Sequence, residues 1–281
     1  MTWEEHTAHP PVAGKTRGSL RLLRGLHSPQ LDNTRDIIVY LPPSYERTVR
    51  RYPVIYMHDG QNLFDPRTSF AGEWNVDDTL DRESALGLEA IVVGIPNMGE
   101  ERCSEYSPFD DVKHGRGRGD DYLAFISETV KPLVDAEFRT TRERTLTGIA
   151  GSSMGGLISL YGFFARSHVF GFAGVMSPSL WYGERKVFSY LDSQRHLPGR
   201  IYLDVGTKEG SRALQDVIDL RDRLVRMGYR SGRDLLYVVD QGGAHNEAAW
   251  ARRLSRELRF LLGASPSASK RPAVDQNGSA P

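Results

Sequence analysis

The sequence predicts a three-layer α/β sandwich with a mostly parallel sheet of about eight strands. Short apolar runs alternate with longer segments whose apolar residues recur at helical spacing, as in successive β–α–β units. Several runs, such as residues 54–57 and 91–93, are apolar or aromatic at every position, which is typical of strands covered on both faces. A glycine-rich turn at residues 151–156 joins one of these runs to a helical segment.

The candidate strands are short runs rich in β-branched and aromatic residues. The first pair is joined by a short turn, and the later ones are joined by segments long enough for helical crossovers. In chain order, the predicted strands are residues 19–25, 36–41, 53–58, 90–94, 145–150, 172–177, 200–205 and 234–239.

The clearest helices are predicted at residues 120–138, 212–227 and 248–262, each with an apolar stripe of helical period. The last of these is expected to end the fold. It also carries an arginine-rich set with one glutamate among it, which we interpret as a solvated face: Arg252, Arg253, Arg256, Glu257 and Arg259.

One α/β domain is predicted over residues 17–263. Residues 1–16 are polar and are expected to form a loose lead-in, and residues 264–281 have the composition of a disordered tail. Residues 96–119 are polar and glycine-rich, with little helical or strand pattern. An insert of this kind is usually functional or mobile, so we expect a loop over the functional site.

The composition argues against several classes of partner. The 36 basic and 36 acidic side chains cancel to a formal net charge of zero, whereas nucleic acid or an anionic membrane as a partner would leave a basic excess. Cys103 is the sole cysteine, which excludes a disulfide framework and a thiolate metal cluster. We find no secretory signal pattern and no apolar stretch of membrane-spanning length, so a cytoplasmic protein is expected. Nothing in the sequence indicates the oligomeric state.

The glycine-rich turn has the pattern of a nucleophile elbow. Gly151-Ser152-Ser153-Met154-Gly155 fits G-x-S-x-G with Ser153 at the centre, whereas a frame centred on Ser152 would need glycines where alanine and methionine stand. The flanking positions of such a turn must be glycine because the strand and helix backbones nearly touch there. An ordinary glycine-rich turn is the plainer alternative, but the order of elements favours an α/β-hydrolase with Ser153 as nucleophile.

A serine nucleophile needs an imidazole base and a carboxylate that orients it. In this fold the base follows the last strand, where His245 begins the final helix. The acid should follow the strand before it, where Asp204 lies inside the strand and Glu209 lies in the loop beyond. A loop side chain can reach the carboxyl edge of the sheet, whereas the side chain of Asp204 is bound to one face of its strand, so Glu209 is favoured.

Two backbone amides should stabilise the oxyanion of the tetrahedral intermediate. One belongs to Met154, directly after the nucleophile at a helix N-terminus. The other is expected in the loop after the third strand, where the amide of Gly60 or Gln61 is a candidate and Gln61 is preferred.

Two further groups of residues could be interpreted as metal ligands, but we do not favour that interpretation. His58 and Asp59 could form a second catalytic pair or metal ligands, but a role in hydrogen-bonding their loop into shape is the simpler interpretation. Asp110, Asp111 and His114 have the pattern of a solvated loop. We therefore expect no metal and no cofactor.

With Ser153, Glu209 and His245 assigned, the chain resembles the putative esterase family of α/β-hydrolases, which includes enterochelin esterases, feruloyl esterases, S-formylglutathione hydrolases and mycolyltransferases. The resemblance implies a serine esterase acting on a small-molecule ester, and it suggests Trp181 and Tyr106 near the acyl or alcohol pocket. The matching stretches look most like the enterochelin-esterase-like branch and are residues 40–45, 52–64, 73–77, 151–156, 177–181, 204–209 and 243–250.

Three functions compete at this point. A serine carboxylic-ester hydrolase and an acyltransferase would use the same three residues, and they differ only in whether water or an alcohol accepts the acyl group. A non-catalytic ligand-binding descendant of the fold is disfavoured, because all three catalytic residue types are present.

Overall fold

The central strands of the sheet are buried throughout because helices cover both of its faces. In the computed structural model, which describes residues 2–8 and 17–263, β4 (Val54–His58), β5 (Ile91–Ile95) and β7 (Phe172–Met176) are buried at every residue. Successive side chains of β4 enter opposite cores, with Tyr56 on one side and Ile55 on the other.

The sheet has nine strands in the order β1-β2-β3-β5-β4-β6-β7-β8-β9. The first three pair antiparallel, β3 also pairs antiparallel with β5, and every pair from β5 to β9 is parallel. The predicted mostly parallel α/β sandwich is therefore confirmed, and each predicted strand forms within a few residues of its expected bounds. The remaining strands are β1 (Glu4–His6), β2 (Ser19–Ser28), β3 (Asn33–Leu41), β6 (Thr147–Ser152), β8 (Arg200–Gly206) and β9 (Leu235–Asp240).

The strand without a sequence signal is β1, which lies inside the segment expected to be a loose lead-in. Glu5 pairs with Arg21 of β2 at the edge of the sheet. The three residues of β1 are polar and mostly exposed, so they show none of the apolar alternation that predicts a strand. Residue 1, the rest of the expected lead-in (residues 9–16) and the predicted disordered tail (residues 264–281) lie outside the described part of the chain.

The helices divide between the two faces of the sheet. On one face, α1 (Val76–Ser84) and α8 (Glu247–Leu262) share a core that contains Val76 and Leu254. The other face is covered by α5 (Met154–Ala165) and α7 (Ser211–Met227), together with a helical run that coincides with the predicted helix 120–138. That run consists of α3 (Gly119–Ala124), a π-helical stretch (Phe125–Val130) and α4 (Lys131–Glu137). The described residues also form two short α-helices, α2 (Arg102–Glu105) and α6 (Lys186–Asp192).

The insert at residues 96–119 is partly ordered rather than without structure. It contains α2, whose Glu105 forms a bidentate ion pair with Arg35 of β3 at 2.7 and 2.9 Å. Both side chains are buried. An isolated charge would be costly in this environment, so the pair fastens the insert to the sheet.

Candidate active site

Ser153 occupies the turn between β6 and α5, with φ 58° and ψ −121°. A positive φ is unfavourable for a serine, and the amide of Ser153 donates to the carbonyl of Met176 at 3.0 Å, which ties the turn to β7. A Cβ atom at Gly151 would lie 2.8 Å from Cδ2 of His58 and 3.1 Å from the carbonyl carbon of Gly155. The elbow therefore needs glycine where the strand and helix backbones meet.

Ser153, His245 and Glu209 are joined by two short hydrogen bonds. Nε2 of His245 lies 2.9 Å from Oγ of Ser153, and Nδ1 lies 2.9 Å from Oε2 of Glu209. Because an ionised carboxylate only accepts, Nδ1 carries the hydrogen, and Nε2 of the neutral ring accepts from the serine hydroxyl. This tautomer is the one that can remove the proton of Ser153.

The N-terminus of α8 sets the position of His245. Asn246 is the N-cap, and its side chain accepts from the amide of Ala249 at 3.0 Å. The imidazole also meets the ring of Trp250 edge-on, with centroids 5.0 Å apart. The first turn of α8 thus fixes the position of His245, while its side chain stays 44% exposed to solvent.

Glu209 is held in its ionised form. Burial alone would raise the pKa of its carboxyl group, but hydrogen bonds from His245, Ser177 and the amide of Gly206 outweigh burial and lower it. Oε1 accepts from Oγ of Ser177 at 2.7 Å and from the Gly206 amide at 2.7 Å, which leaves Oε2 for His245.

Asp204, the alternative acid, lies deeper and faces away from the imidazole. Its Oδ1 accepts from the amide of Ser177 at 3.0 Å, and its Oδ2 accepts from the hydroxyl of Tyr202 at 3.0 Å. Oδ2 also lies 2.9 Å from Nε of Arg253. Burial raises the pKa of Asp204 to about 7, and the charge of Arg253 opposes that rise. This carboxyl group is part of the packing beneath the site.

The loop after β4 faces Ser153 across a cleft of about 690 Å³. Its backbone passes so close to β5 that a Cβ at Gly60 would lie 2.6 Å from the carbonyl carbon of Gly94. Gln61 lines the cleft, and its side-chain Oε1 is occupied by the amide of Asn97 at 3.1 Å. Met154 begins α5, so its amide has no acceptor one helical turn earlier.

The sequence-based interpretation of His58 and Asp59 agrees with their contacts. His58 is buried, with Nδ1 2.8 Å from the hydroxyl of Tyr122, and burial lowers the pKa of its ring to about 3. Arg102 of the insert donates to both carboxylate oxygens of Asp59, at 2.7 and 2.8 Å, and Asn97 adds a third bond at 2.7 Å. The insert therefore shapes the loop that carries Gln61.

The two aromatic residues suggested for the substrate pocket, Tyr106 and Trp181, do not line this cleft. Tyr106 is fully buried, and its ring packs against His58 and under the guanidinium of Arg102. Its hydroxyl accepts from the amide of Asp59 at 3.1 Å, so Tyr106 supports the loop from behind rather than lining the cleft. Trp181 is 50% exposed and packs beside Tyr182, outside the cleft lining.

The interpretation of the last helix as carrying a solvated arginine face is wrong for Arg253 and Glu257. Both are buried on the sheet side of α8, and burial raises the pKa of Glu257 well above its usual range. Arg253 contacts Asp204 and Ser177, so it belongs to the support of the site. Its i, i+4 spacing to Glu257 also suits an exposed pair, so the sequence held no signal that distinguished the two cases.

Among the residues that the structure describes, no group of three or more histidine, cysteine, aspartate or glutamate side chains is arranged to hold a metal ion. Within the same residues, no helix combines the length and apolar character needed to cross a membrane.

Comparison with known proteins places the chain among esterases. The family model described as Putative esterase matches residues 28–261. The chain is 25% identical over 258 residues to Uncharacterized protein YbbA of Bacillus subtilis (strain 168), covering 87% of this chain and 99% of that protein. It is 26% identical over 266 residues to Iron(III) salmochelin esterase of Escherichia coli O6:H1, covering 89% of this chain but only 58% of that protein. Among solved structures, the BES protein from Bacillus cereus matches with a TM-score of 0.69 at 21% identity, over 92% of this chain and 99% of that chain, a likeness of fold.

Proposed function

Because the chain belongs to the Putative esterase family, it is a carboxylic ester hydrolase, and we propose that it acts through an acyl-enzyme on Ser153. The observation that carries this proposal is the continuous hydrogen-bonded series from Ser153 through His245 to Glu209, beside an open cleft. In it, His245 is the base and Glu209 is the acid that orients it.

In the acylation step, Oγ of Ser153 attacks the ester carbonyl carbon while its proton passes to Nε2 of His245. The resulting oxyanion accepts hydrogen bonds from the amides of Met154 and Gln61. The bond to the alcohol oxygen then breaks, and the leaving alkoxide takes the proton from Nε2. Glu209 remains ionised throughout and stabilises the imidazolium that forms in between.

Water is the proposed acceptor of the acyl group. It attacks the acyl carbonyl, gives its proton to Nε2 of His245, and releases Ser153 with that proton. The exposure of the His245 side chain supports this choice over an alcohol acceptor, because bulk water reaches the base directly. Product analysis in the presence of added alcohol tests it, since a transferase would form the new ester in preference to the free acid.

The substrate is proposed to be a small-molecule ester that enters the cleft beside Phe70 and Trp74. Phe70 is 93% exposed at the cleft, which offers an aromatic surface at its mouth. A relative named for salmochelin hydrolysis makes siderophore esters one class to test. Hydrolysis of p-nitrophenyl esters of increasing acyl length, of aryl esters such as ferulates and of siderophore esters should identify the class, with the Ser153→Ala variant as the blank.

A sulfonyl fluoride or an organophosphate is expected to inactivate the enzyme by modifying it once, at Ser153. Ester hydrolysis is expected to be unchanged by EDTA, because an imidazole-activated hydroxyl needs no Lewis acid. Intact-mass measurement and peptide mapping check the first statement, and rates with and without chelator check the second. Loss of activity in EDTA that zinc or calcium restores would contradict the proposed mechanism.

Arg102→Met is expected to lower kcat by on the order of 10-fold to 10²-fold, because Asp59 loses both hydrogen bonds from Arg102 that help shape the Gln61 loop and keeps the one from Asn97. Arg230→Met is the matched control, since it removes a similar Arg–Asp pair, to Asp234, away from the cleft. Steady-state kinetics on both variants decide the matter. Equal losses in the two would show that the Arg102 effect is general destabilisation.

A further inference from the structure

Ser177, directly after β7, is held in a strained conformation by two hydrogen bonds that its amide donates to Asp204 of β8. Its φ of 42° lies in the left-handed region that a serine seldom adopts. Its amide lies 3.1 Å from the carbonyl oxygen of Asp204 and 3.0 Å from Oδ1 of the same residue. Strain of this kind persists only where the surroundings impose it, and here Asp204 does so.

The hydroxyl of Ser177 meets three groups. Nε1 of Trp250 lies 3.0 Å away, Nη2 of Arg253 lies 2.9 Å away, and Oε1 of Glu209 lies 2.7 Å away. An indole N–H and a guanidinium can only donate, so they occupy the two acceptor positions of the oxygen. The single hydroxyl hydrogen must therefore point to Glu209.

This arrangement gives the hydrogen bonds one possible direction. Trp250 and Arg253 donate to Ser177, Ser177 donates to Glu209, and Glu209 accepts from His245. Arg253 itself stays 3.7 Å from Oε1 of Glu209, beyond a hydrogen bond, so the serine oxygen connects the two. A hydroxyl polarised by a cationic donor makes a stronger bond to a carboxylate than a free one does.

We propose that Ser177 is a positioning residue for ester hydrolysis, whose hydroxyl turns Glu209 so that Oε2 faces His245. The inference rests on the proposed function, because it acts only through Glu209. With Ser177 and the Gly206 amide on Oε1, the carboxylate cannot rotate without breaking two bonds. Without the hydroxyl of Ser177, only the bond from the Gly206 amide remains on Oε1, and the imidazole of His245 then has a carboxylate partner that can rotate.

The test is a double-mutant cycle on the full chain with a p-nitrophenyl ester as substrate. Ser177→Ala is expected to lower kcat by on the order of 10-fold to 10²-fold, with KM changed by less than about 3-fold. In a Glu209→Ala background the same substitution should add less than about a 2-fold loss, because the group through which it acts is gone. A residue that only supports the fold would give equal losses in both backgrounds.

Two further variants separate the hydroxyl from the backbone and from stability. Ser177→Gly also removes the hydroxyl but relieves the positive φ, so a kcat loss equal to that of Ser177→Ala is expected. Ser28→Ala removes a buried serine hydroxyl that accepts from the amide of Leu31 at 3.1 Å, far from the cleft, and should leave kcat unchanged.

The outcomes distinguish the two proposals. Full activity of Ser177→Gly beside an impaired Glu209→Ala overturns the role of Ser177 and leaves the triad standing, and so does an additive cycle. Full activity of Glu209→Ala overturns the triad assignment itself, and the role of Ser177 with it. If Ser177→Ala does not fold, the cycle is run with Ser177→Gly.

Discussion

Replacing Ser153 with alanine is expected to lower kcat for ester hydrolysis by on the order of 10⁴-fold or more. The variant keeps the cleft, the Gln61 loop and the helix N-terminus, so only the rate that an oxyanion site and substrate binding provide should remain. Its melting temperature should change little, because alanine bears the same backbone strain at the elbow as serine does. The two hydrogen bonds that are lost, to His245 at 2.9 Å and to Ser179 at 3.1 Å, are exposed and part-buried. Steady-state kinetics and a melting curve measure both quantities.

Ser152→Ala is the matched control, since it removes a hydroxyl one position earlier. Ser152 ends β6 and is 3% exposed, and its substitution should change kcat far less than that of Ser153. An inactive Ser152→Ala variant beside an active Ser153→Ala variant would mean that the nucleophile has been assigned to the wrong serine.

Glu209→Gln is expected to lower kcat by on the order of 10²-fold to 10⁴-fold with little change in KM. The neutral amide of glutamine is a weaker acceptor for Nδ1 of His245 than the carboxylate is, and it carries no negative charge to stabilise the imidazolium. Because the substrate contacts neither oxygen of Glu209 in the proposed mechanism, binding should be spared. Kinetics at several substrate concentrations separate the two parameters.

Asp204→Asn is expected to have a smaller effect on kcat and to lower the melting temperature by about 3–8 °C. An amide NH₂ in place of Oδ2 would face the donors of Tyr202 and Arg253, which leaves these buried donors without their acceptor. A fully active Glu209→Gln variant beside an inactive but normally stable Asp204→Asn variant would move the acid to position 204.

The stability difference between wild type and Asp204→Asn should also depend on pH. The folded protein raises the pKa of Asp204 to about 7, so the native state holds this proton more tightly than the unfolded chain does. The resulting stability is fully present below the ordinary pKa of an aspartate and is lost as pH rises through about 7. The asparagine variant cannot lose it, so the deficit in melting temperature should narrow from pH 5 to pH 8.

Sequence alone could predict those parts of the site that depend on local pattern. The frame around Ser153 follows from glycines within four positions of one another, and His245 follows from the order of the last strand and helix. The choice of Glu209 over Asp204 followed from strand geometry, because a residue inside a strand is confined to one face. In the structure, Glu209 and not Asp204 lies 2.9 Å from the imidazole of His245.

Contacts between segments that are far apart in the sequence could not be predicted from local pattern. Tyr106 is one example, because its burial depends on the insert folding back against β4. Arg253 is another, since an arginine on an amphipathic helix is usually solvated, and its burial depends on the carboxyl group of Asp204 and the hydroxyl of Ser177 beneath it.

By itself, the sequence determined the fold class, the order of the strands along the chain and the residue types available for catalysis, because hydrophobic period and turn chemistry are local properties. Only the tertiary structure decided which side chains support the catalytic residues. Ser177 follows β7, Glu209 follows β8 and Arg253 lies on α8, and they meet because these three elements pack together. That packing depends on burial and on the pairing of charges across the whole core, which no short stretch of sequence contains.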